Sequence, residues 1–124
     1  MENLYSEHIL DHYGNPCNQG RLEDADLSCE WDNPVCGDVV RLDLRLEDGR
    51  VSEARFDGQG CVISMASASM FTDEILGKTL EELRALQDED VFRMLGITLG
   101  PARANCGLLP LRVLQEGLAH WKET

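Results

Sequence analysis

Positive charge is scarce in this sequence: 11 Lys and Arg stand against 23 Asp and Glu, a formal net charge of −12. Nucleic acids and anionic membranes are recognised through a basic footprint, so this balance argues against both as partners. Long apolar runs are missing too, and nothing approaches the roughly 18 residues that a membrane-spanning helix needs. The opening Met1-Glu2-Asn3-Leu4 leads into charged, helix-like sequence rather than a signal peptide, so a cytoplasmic location is the expectation. No Cys-x-x-Cys occurs, which counts against a thiol redox enzyme. No linker, repeat or low-complexity stretch divides the chain, and 124 residues suit a single domain, 1–124.

What is present is a globular composition, 43% hydrophobic, with five cysteines. In a reducing compartment, spaced cysteines are read as metal-binding or catalytic before they are read as disulfides. Periodicity outlines the fold. Residues 2–13 carry Leu4, Tyr5, His8, Ile9, His12 and Tyr13 at helical spacing, stopped by Gly14-Asn15-Pro16. His8 and His12 form an i, i+4 pair that reads as the polar edge of a packed face. Residues 14–24 are loop-like and carry Cys17. Leu27, Cys29 and Trp31 alternate as a short strand with one buried face, Cys29 acting as a small core hydrophobe.

A second strand sets Val40, Leu42, Leu44 and Leu46 against Arg41, Asp43, Arg45 and Glu47. Asp48-Gly49 is a hairpin turn, and the return strand through Val51, Ala54 and Phe56 alternates irregularly enough to expect a bulge. After Gly58-Gln59-Gly60-Cys61 the period becomes helical, with Val62, Met65, Ala66, Ser69, Met70, Asp73 and Leu76 on one stripe. Thr79 caps a helix to about residue 87, and a shorter helix follows over 90–95. The last helix spans about 102–121, with Leu111, Leu114, Leu118 and Trp121 on one face, and Pro110 marks a kink or a late start. The pattern predicts an α+β fold, a three-stranded antiparallel meander with one face covered by helices.

Chemistry concentrates at three places. Asn33-Pro34-Val35-Cys36-Gly37-Asp38 puts a thiol and a carboxylate two residues apart at a strand start. Cys61 follows two glycines at a strand-to-helix junction, and Cys106 lies near the start of the last helix. Helix N-termini and glycine-rich backbone supply N–H groups that favour a thiolate. Arg103 adds positive charge one turn before Cys106. Cys36, Asp38, Cys61 and Cys106 are therefore expected to converge on one metal or iron–sulfur site. A Cys₃Asp set suits tetrahedral Zn²⁺. It also suits an iron–sulfur cluster meant to leave, because durable clusters use four thiolates and a hard oxygen donor grips soft iron–sulfur units less well. A zinc-stabilised interaction module is the alternative from another class.

These residues carry a resemblance. Asn33-Pro34-x-Cys36-Gly37-Asp38, Gly58-x-Gly60-Cys61-x-Ile63-Ser64-x-Ala66-Ser67-Ala68-Ser69 and Pro101-x-Arg103-x-x-Cys106 resemble the NifU-like/IscU/SufU family of iron–sulfur assembly proteins. The opening Tyr5…Ile9-Leu10-Asp11-His12-Tyr13-x-Asn15-Pro16 looks like that family's first helix and loop. The resemblance implies Cys36, Asp38, Cys61 and Cys106 as ligands of a transient [2Fe–2S] cluster or of Zn²⁺. It implies Cys106 as acceptor of sulfur from a cysteine desulfurase, with Arg103 tuning that thiolate or touching the partner. Recipient apo iron–sulfur proteins would be the further partners. IscU-like members carry His where this chain has Asn105, and a chaperone-read Leu-Pro-Pro-Val-Lys where it has Leu99-Gly100-Pro101-Ala102-Arg103. A dedicated Hsp70 partner is therefore not implied. The Ser-Met-Ala-Ser-Ala-Ser run and Pro-Ala-Arg-x-x-Cys look SufU-like, yet the insertion that SufU-like members usually carry before the last cysteine is missing. The chain reads as SufU-like motifs on a shorter frame.

Overall fold

The computed structural model describes residues 7–32, 37–96 and 99–120. Its elements run α1 (Glu7–Gly14), β1 (Leu27–Asp32), β2 (Val39–Glu47), β3 (Arg50–Gln59), α2 (Val62–Glu74), α3 (Leu80–Arg84), α4 (Asp88–Leu95) and α5 (Pro101–His120). The three strands form an antiparallel sheet in the order β1-β2-β3. This is the expected meander. Asp48 and Gly49 both adopt positive φ, 53° and 77°, the twist that a two-residue hairpin demands. The expected bulge is also present: Arg45 pairs with Glu53 but Leu46 with Val51, leaving Ser52 as the extra residue. Its hydroxyl donates to the Arg45 carbonyl at 3.1 Å.

β1 departs from its sequence pattern. Leu27 is buried and Cys29 half-buried, whereas Trp31 is 37% exposed rather than part of the buried face. Leu27 and Cys29 both lie against Gly117 of α5, where a Cβ would come 2.9 Å from the Cys29 Cβ. The helix packs on the sheet at that glycine, against the Leu27 and Cys29 part of the strand.

The outer face of β2 departs further. Asp43, expected among outward-facing polar residues, is 1% exposed. The loop before β1 folds back over it, and Leu22 N–H and Arg41 Nε donate to its two carboxylate oxygens, each at 3.0 Å. The same loop covers part of the β3 edge: Phe56 N–H donates to the Asn18 carbonyl and Gly20 N–H to the Phe56 carbonyl, at 2.9 and 2.8 Å. Gly77 and Lys78 cover the same edge at Val51. Pairing the edge at both ends removes a template for strand addition.

α2 is the axis of the helical layer. A single apolar stripe was expected, but the helix is enclosed on several sides by the sheet, α1, α4 and α5. Ile63, Ala66, Ala68 and Phe71 are buried together with Ser64, Ser67, Ser69 and Thr72, while Val62 and Met65 are half-buried and Asp73 is exposed. Small side chains permit this close approach, and buried hydroxyls are tolerated only when bonded. Each is. Ser67 Oγ donates to the Gly107 carbonyl of α5 at 2.6 Å. Ser69 Oγ accepts from Cys17 N–H at 2.7 Å and pairs with His12 Nδ1 at 2.8 Å. Thr72 Oγ1 accepts from Asn18 Nδ2 at 3.2 Å.

α3 begins with the expected Thr79 cap, reciprocated by Glu82 as a capping box. α4 starts two residues earlier than expected because Gln87 and Asp90 form a second box. α5 is continuous through Pro110, with Leu108, Leu109, Leu111, Val113, Leu114 and Leu118 all buried. Pro110 has no N–H for the Cys106 carbonyl four residues back, but the packing on both sides carries the helix across. Trp121, expected on the same face, lies outside the described residues.

Candidate metal centre

Three of the four expected ligands are described, and they meet. One carboxylate oxygen of Asp38 and the sulfurs of Cys61 and Cys106 all lie within 4.8 Å of one another. Among the described residues this is the group of His, Cys, Asp and Glu side chains placed to hold a metal ion. Cys36 lies outside the described residues, two positions before Asp38 in the chain.

The local sequence explains the meeting. Asp38 is the last residue before β2, and Gly37 beside it sits at φ +77°, a conformation that favours glycine. Cys61 is the N-cap of α2, with extended backbone at ψ 171° and its carbonyl taking the first helical bond, from Met65 N–H at 3.1 Å. β2 and β3 are paired through Val39 and Gln59, so the start of one strand and the end of the other bring Asp38 and Cys61 side by side. α5 packs along α2 and supplies Cys106 from its second turn.

Two sequence readings change here. All four ligands were expected at element ends, yet Cys106 lies five residues into α5, past the free N–H groups of the first turn. The helix-terminus argument therefore holds for Cys61 and not for Cys106. The two glycines were read as bringing N–H groups close to sulfur; the structure adds a steric role. At Gly58, φ +143°, a Cβ would stand 2.1 Å from the Val39 carbonyl oxygen. At Gly60 it would stand 2.5 Å from Ser64 Oγ and 2.7 Å from Asp38 Cγ. A side chain at either position would push apart the strand ends or the carboxylate.

Ser64 enters the sequence reading only as one of several small residues in the motif after Cys61, with no role at the site. It is fully buried, donates from Oγ to Asp38 Oδ2 at 2.8 Å, and lies 3.6 Å from Cys61 Sγ. Its position three residues after the N-cap cysteine is the signal that could have found it, since that spacing returns a side chain to the first turn. Arg103 is exposed one turn before Cys106, and Asn105 is exposed as well. His12 is engaged with Ser69, as a packed polar edge should be. Cys29 stands mid-strand against Gly117, where burial pushes its thiol up, ahead of the smaller influence of Glu116. Along α5, Gly117 lies about 16 Å from Cys106 at 1.5 Å per residue, so Cys29 belongs to another part of the molecule.

The donor set fits metal chemistry. Two thiolates suit zinc or an iron–sulfur unit, and a carboxylate adds a harder oxygen donor.

Comparison with known proteins follows the same line. The NifU-like N-terminal domain family matches residues 4–124. A protein named zinc-dependent sulfurtransferase SufU, from Bacillus subtilis, is 37% identical, with 96% of this chain and 92% of that protein covered. A protein named iron–sulfur cluster assembly scaffold protein IscU, from Thermotoga maritima, is 38% identical, covering 93% of this chain and 92% of the relative. Both alignments exceed the chain in length, 136 and 131 positions against 124 residues, so both relatives carry residues that this chain lacks. Extra length occurs under either name and does not sort the chain between them. A crystal structure from Fervidobacterium islandicum, named as a candidate scaffold of the SUF system, superposes with a TM-score of 0.79 at 27% identity, covering 93% of this chain and 96% of that one.

Proposed function

The chain belongs to the NifU-like N-terminal domain family, and from that premise we propose that it is an iron–sulfur cluster assembly protein. In this reading Cys36, Asp38, Cys61 and Cys106 hold a labile [2Fe–2S] cluster as cargo, built with sulfur from a cysteine desulfurase and passed to apo iron–sulfur proteins. The observation that carries it is the convergence of Asp38, Cys61 and Cys106 within 4.8 Å, from three elements far apart in sequence.

Cys106 is the sulfur acceptor. Its thiolate attacks the outer sulfur of a desulfurase persulfide; the donor S–S bond breaks as the new one forms, the donor departs as a thiolate, and no net oxidation occurs. Cys106 is 7% exposed, and its exposed neighbours Arg103 and Asn105 mark the side from which a partner reaches it. The Arg103 guanidinium favours the thiolate from that side. Asp38 is the donor that keeps the cargo exchangeable, since a carboxylate binds soft iron–sulfur units less firmly than a fourth thiolate.

A second reading has its own support. The Bacillus relative is named a zinc-dependent sulfurtransferase, and the same four residues suit Zn²⁺. There Zn²⁺ would organise the site, and persulfide transfer to Cys106 would be the whole function.

Anaerobic incubation with a cysteine desulfurase, cysteine and ferrous iron tests both, with dithiothreitol present for the chromophore assay and left out for the persulfide assay. Dithiothreitol supplies the two electrons that release sulfide from a persulfide. A cluster chromophore that depends on Asp38 and the three cysteines supports the scaffold. Desulfurase stimulation and persulfide on Cys106 without a chromophore support the zinc reading. A result with no stimulation, no persulfide and no chromophore overturns both.

A further inference from the structure

Asp38 is a buried carboxylate on a stretch of coil, and Ser64 holds it from the first turn of α2. Ser64 Oγ donates to Asp38 Oδ2 at 2.8 Å, with the hydroxyl fully buried. A serine hydroxyl has a single proton. The competing acceptor, the Cys61 carbonyl, is farther away at 3.2 Å, so the proton goes to the carboxylate. Cys61 Sγ lies 3.6 Å from the same hydroxyl, within hydrogen-bond reach for sulfur. One serine thus ties the oxygen donor to the same helical turn that presents a sulfur donor.

Gly60 provides independent support. A Cβ there would fall 2.5 Å from Ser64 Oγ and 2.7 Å from Asp38 Cγ, at the two groups that make this bond. The chain is bare of side chain at the place where one would part them. A carboxylate ligand whose second oxygen accepts from a fixed donor keeps one orientation, and such outer partners set how firmly a centre is held.

We propose that Ser64 is a positioning residue for the oxygen donor: its hydroxyl fixes Asp38 against Cys61 and Cys106 and sets how tightly the centre keeps its metal or cluster. This rests on Asp38, Cys61 and Cys106 being ligands. Removing the hydroxyl takes away the donor that fixes Oδ2, so the carboxylate is less firmly held in the ligand position.

The test uses the full chain titrated with Zn²⁺ against a competing chelator and with Co²⁺ by visible absorption. Variants are Ser64→Ala, Asp38→Ala, the double variant, Cys61→Ser and Gly60→Ala, each checked for folding by far-UV circular dichroism. Ser64→Ala is expected to weaken Zn²⁺ binding about 10-fold, the lower range for outer-shell partners, and to shift the Co²⁺ ligand-field bands. Asp38→Ala should lose more, with no further loss on adding Ser64→Ala. Gly60→Ala should reproduce the Ser64→Ala loss and keeps the question open to test if that variant misfolds. Unchanged Zn²⁺ affinity and Co²⁺ spectrum in Ser64→Ala, or a Ser64→Ala loss that persists in full without Asp38, overturns the proposal. If Asp38→Ala and Cys61→Ser bind metal like the parent, the ligand reading itself fails and the Ser64 proposal falls with it.

Discussion

Asp38 and Asp43 lie five residues apart and are buried alike, 6% and 1% exposed, but their neighbours differ in kind. Asp43 sits mid-strand with a guanidinium, Arg41, on one oxygen and the Leu22 N–H on the other. Its charge is met within the fold. Asp38 takes a neutral hydroxyl from Ser64 and stands within 4.8 Å of two cysteine sulfurs, groups that share its sign when ionised. Burial alone does not mark a functional carboxylate. What distinguishes Asp38 is the pair of cysteine sulfurs beside it, donors that can share one cation with the carboxylate.

Substitutions can break that comparison. Asp38→Ala should lower Zn²⁺ affinity by more than the roughly 10–100-fold typical of losing an outer partner, a loss that exceeds any change in the urea midpoint of the metal-free chain. Asp43→Ala should do the reverse. Hydrogen bonds to a buried charge are worth about 1.5–3 kcal/mol, so the unfolding free energy falls by about that much and the urea midpoint moves down with it, while the folded fraction keeps its metal affinity. Chelator competition and urea unfolding on both variants decide the matter, and matching behaviour would dissolve the distinction.

The cysteines sharpen it. Cys61→Ser and Cys106→Ser should abolish sulfur uptake from a desulfurase, scored by mass spectrometry of alkylated persulfides. Cys17→Ser and Cys29→Ser should leave it within about two-fold, because neither sulfur belongs to the group formed by Asp38, Cys61 and Cys106. Cys29→Ala should instead cost about 1 kcal/mol of stability for the small cavity left against Gly117.

Exposed carboxylates give the smallest effect. The Arg21 guanidinium, and after it the Gly58 N–H, hold Asp57 below the ordinary carboxyl range; the Thr79 backbone N–H does the same for Glu82. A depressed carboxyl stabilises the fold above its unfolded-state pKa, near 4, and loses that contribution as the pH falls through its lowered folded value. Thermal midpoints should therefore decline on acidification below about pH 4. The acid-sensitive part should shrink slightly in Thr79→Ala, in which the cap that Glu82 reciprocates is gone.

Much of this fold was legible because the physics was local. Val40, Leu42 and Leu44 alternate, Asp48-Gly49 is a chemically specified turn, and Thr79 with Glu82 caps a helix, each without reference to distant residues. The misses lie where distant segments decide. Asp43 alternates as a surface residue and is buried by the loop through Leu22. Trp31 alternates as a core residue yet is 37% exposed. Helical periodicity in α2 picked one stripe, but a helix enclosed on several sides has none.

By itself the sequence determined the set of candidate ligands and the turns and strand ends that carry them, because residue type and short-range backbone preference are properties of neighbours in the chain. Only the tertiary structure decided that Asp38, Cys61 and Cys106 meet while Cys17 and Cys29 do not. It also decided that Ser64 is the residue holding the carboxylate, and that Gly60 must be bare for it to do so. Those outcomes depend on distances between segments that are tens of residues apart, set by packing of α2 and α5 against the sheet, and no local rule encodes them.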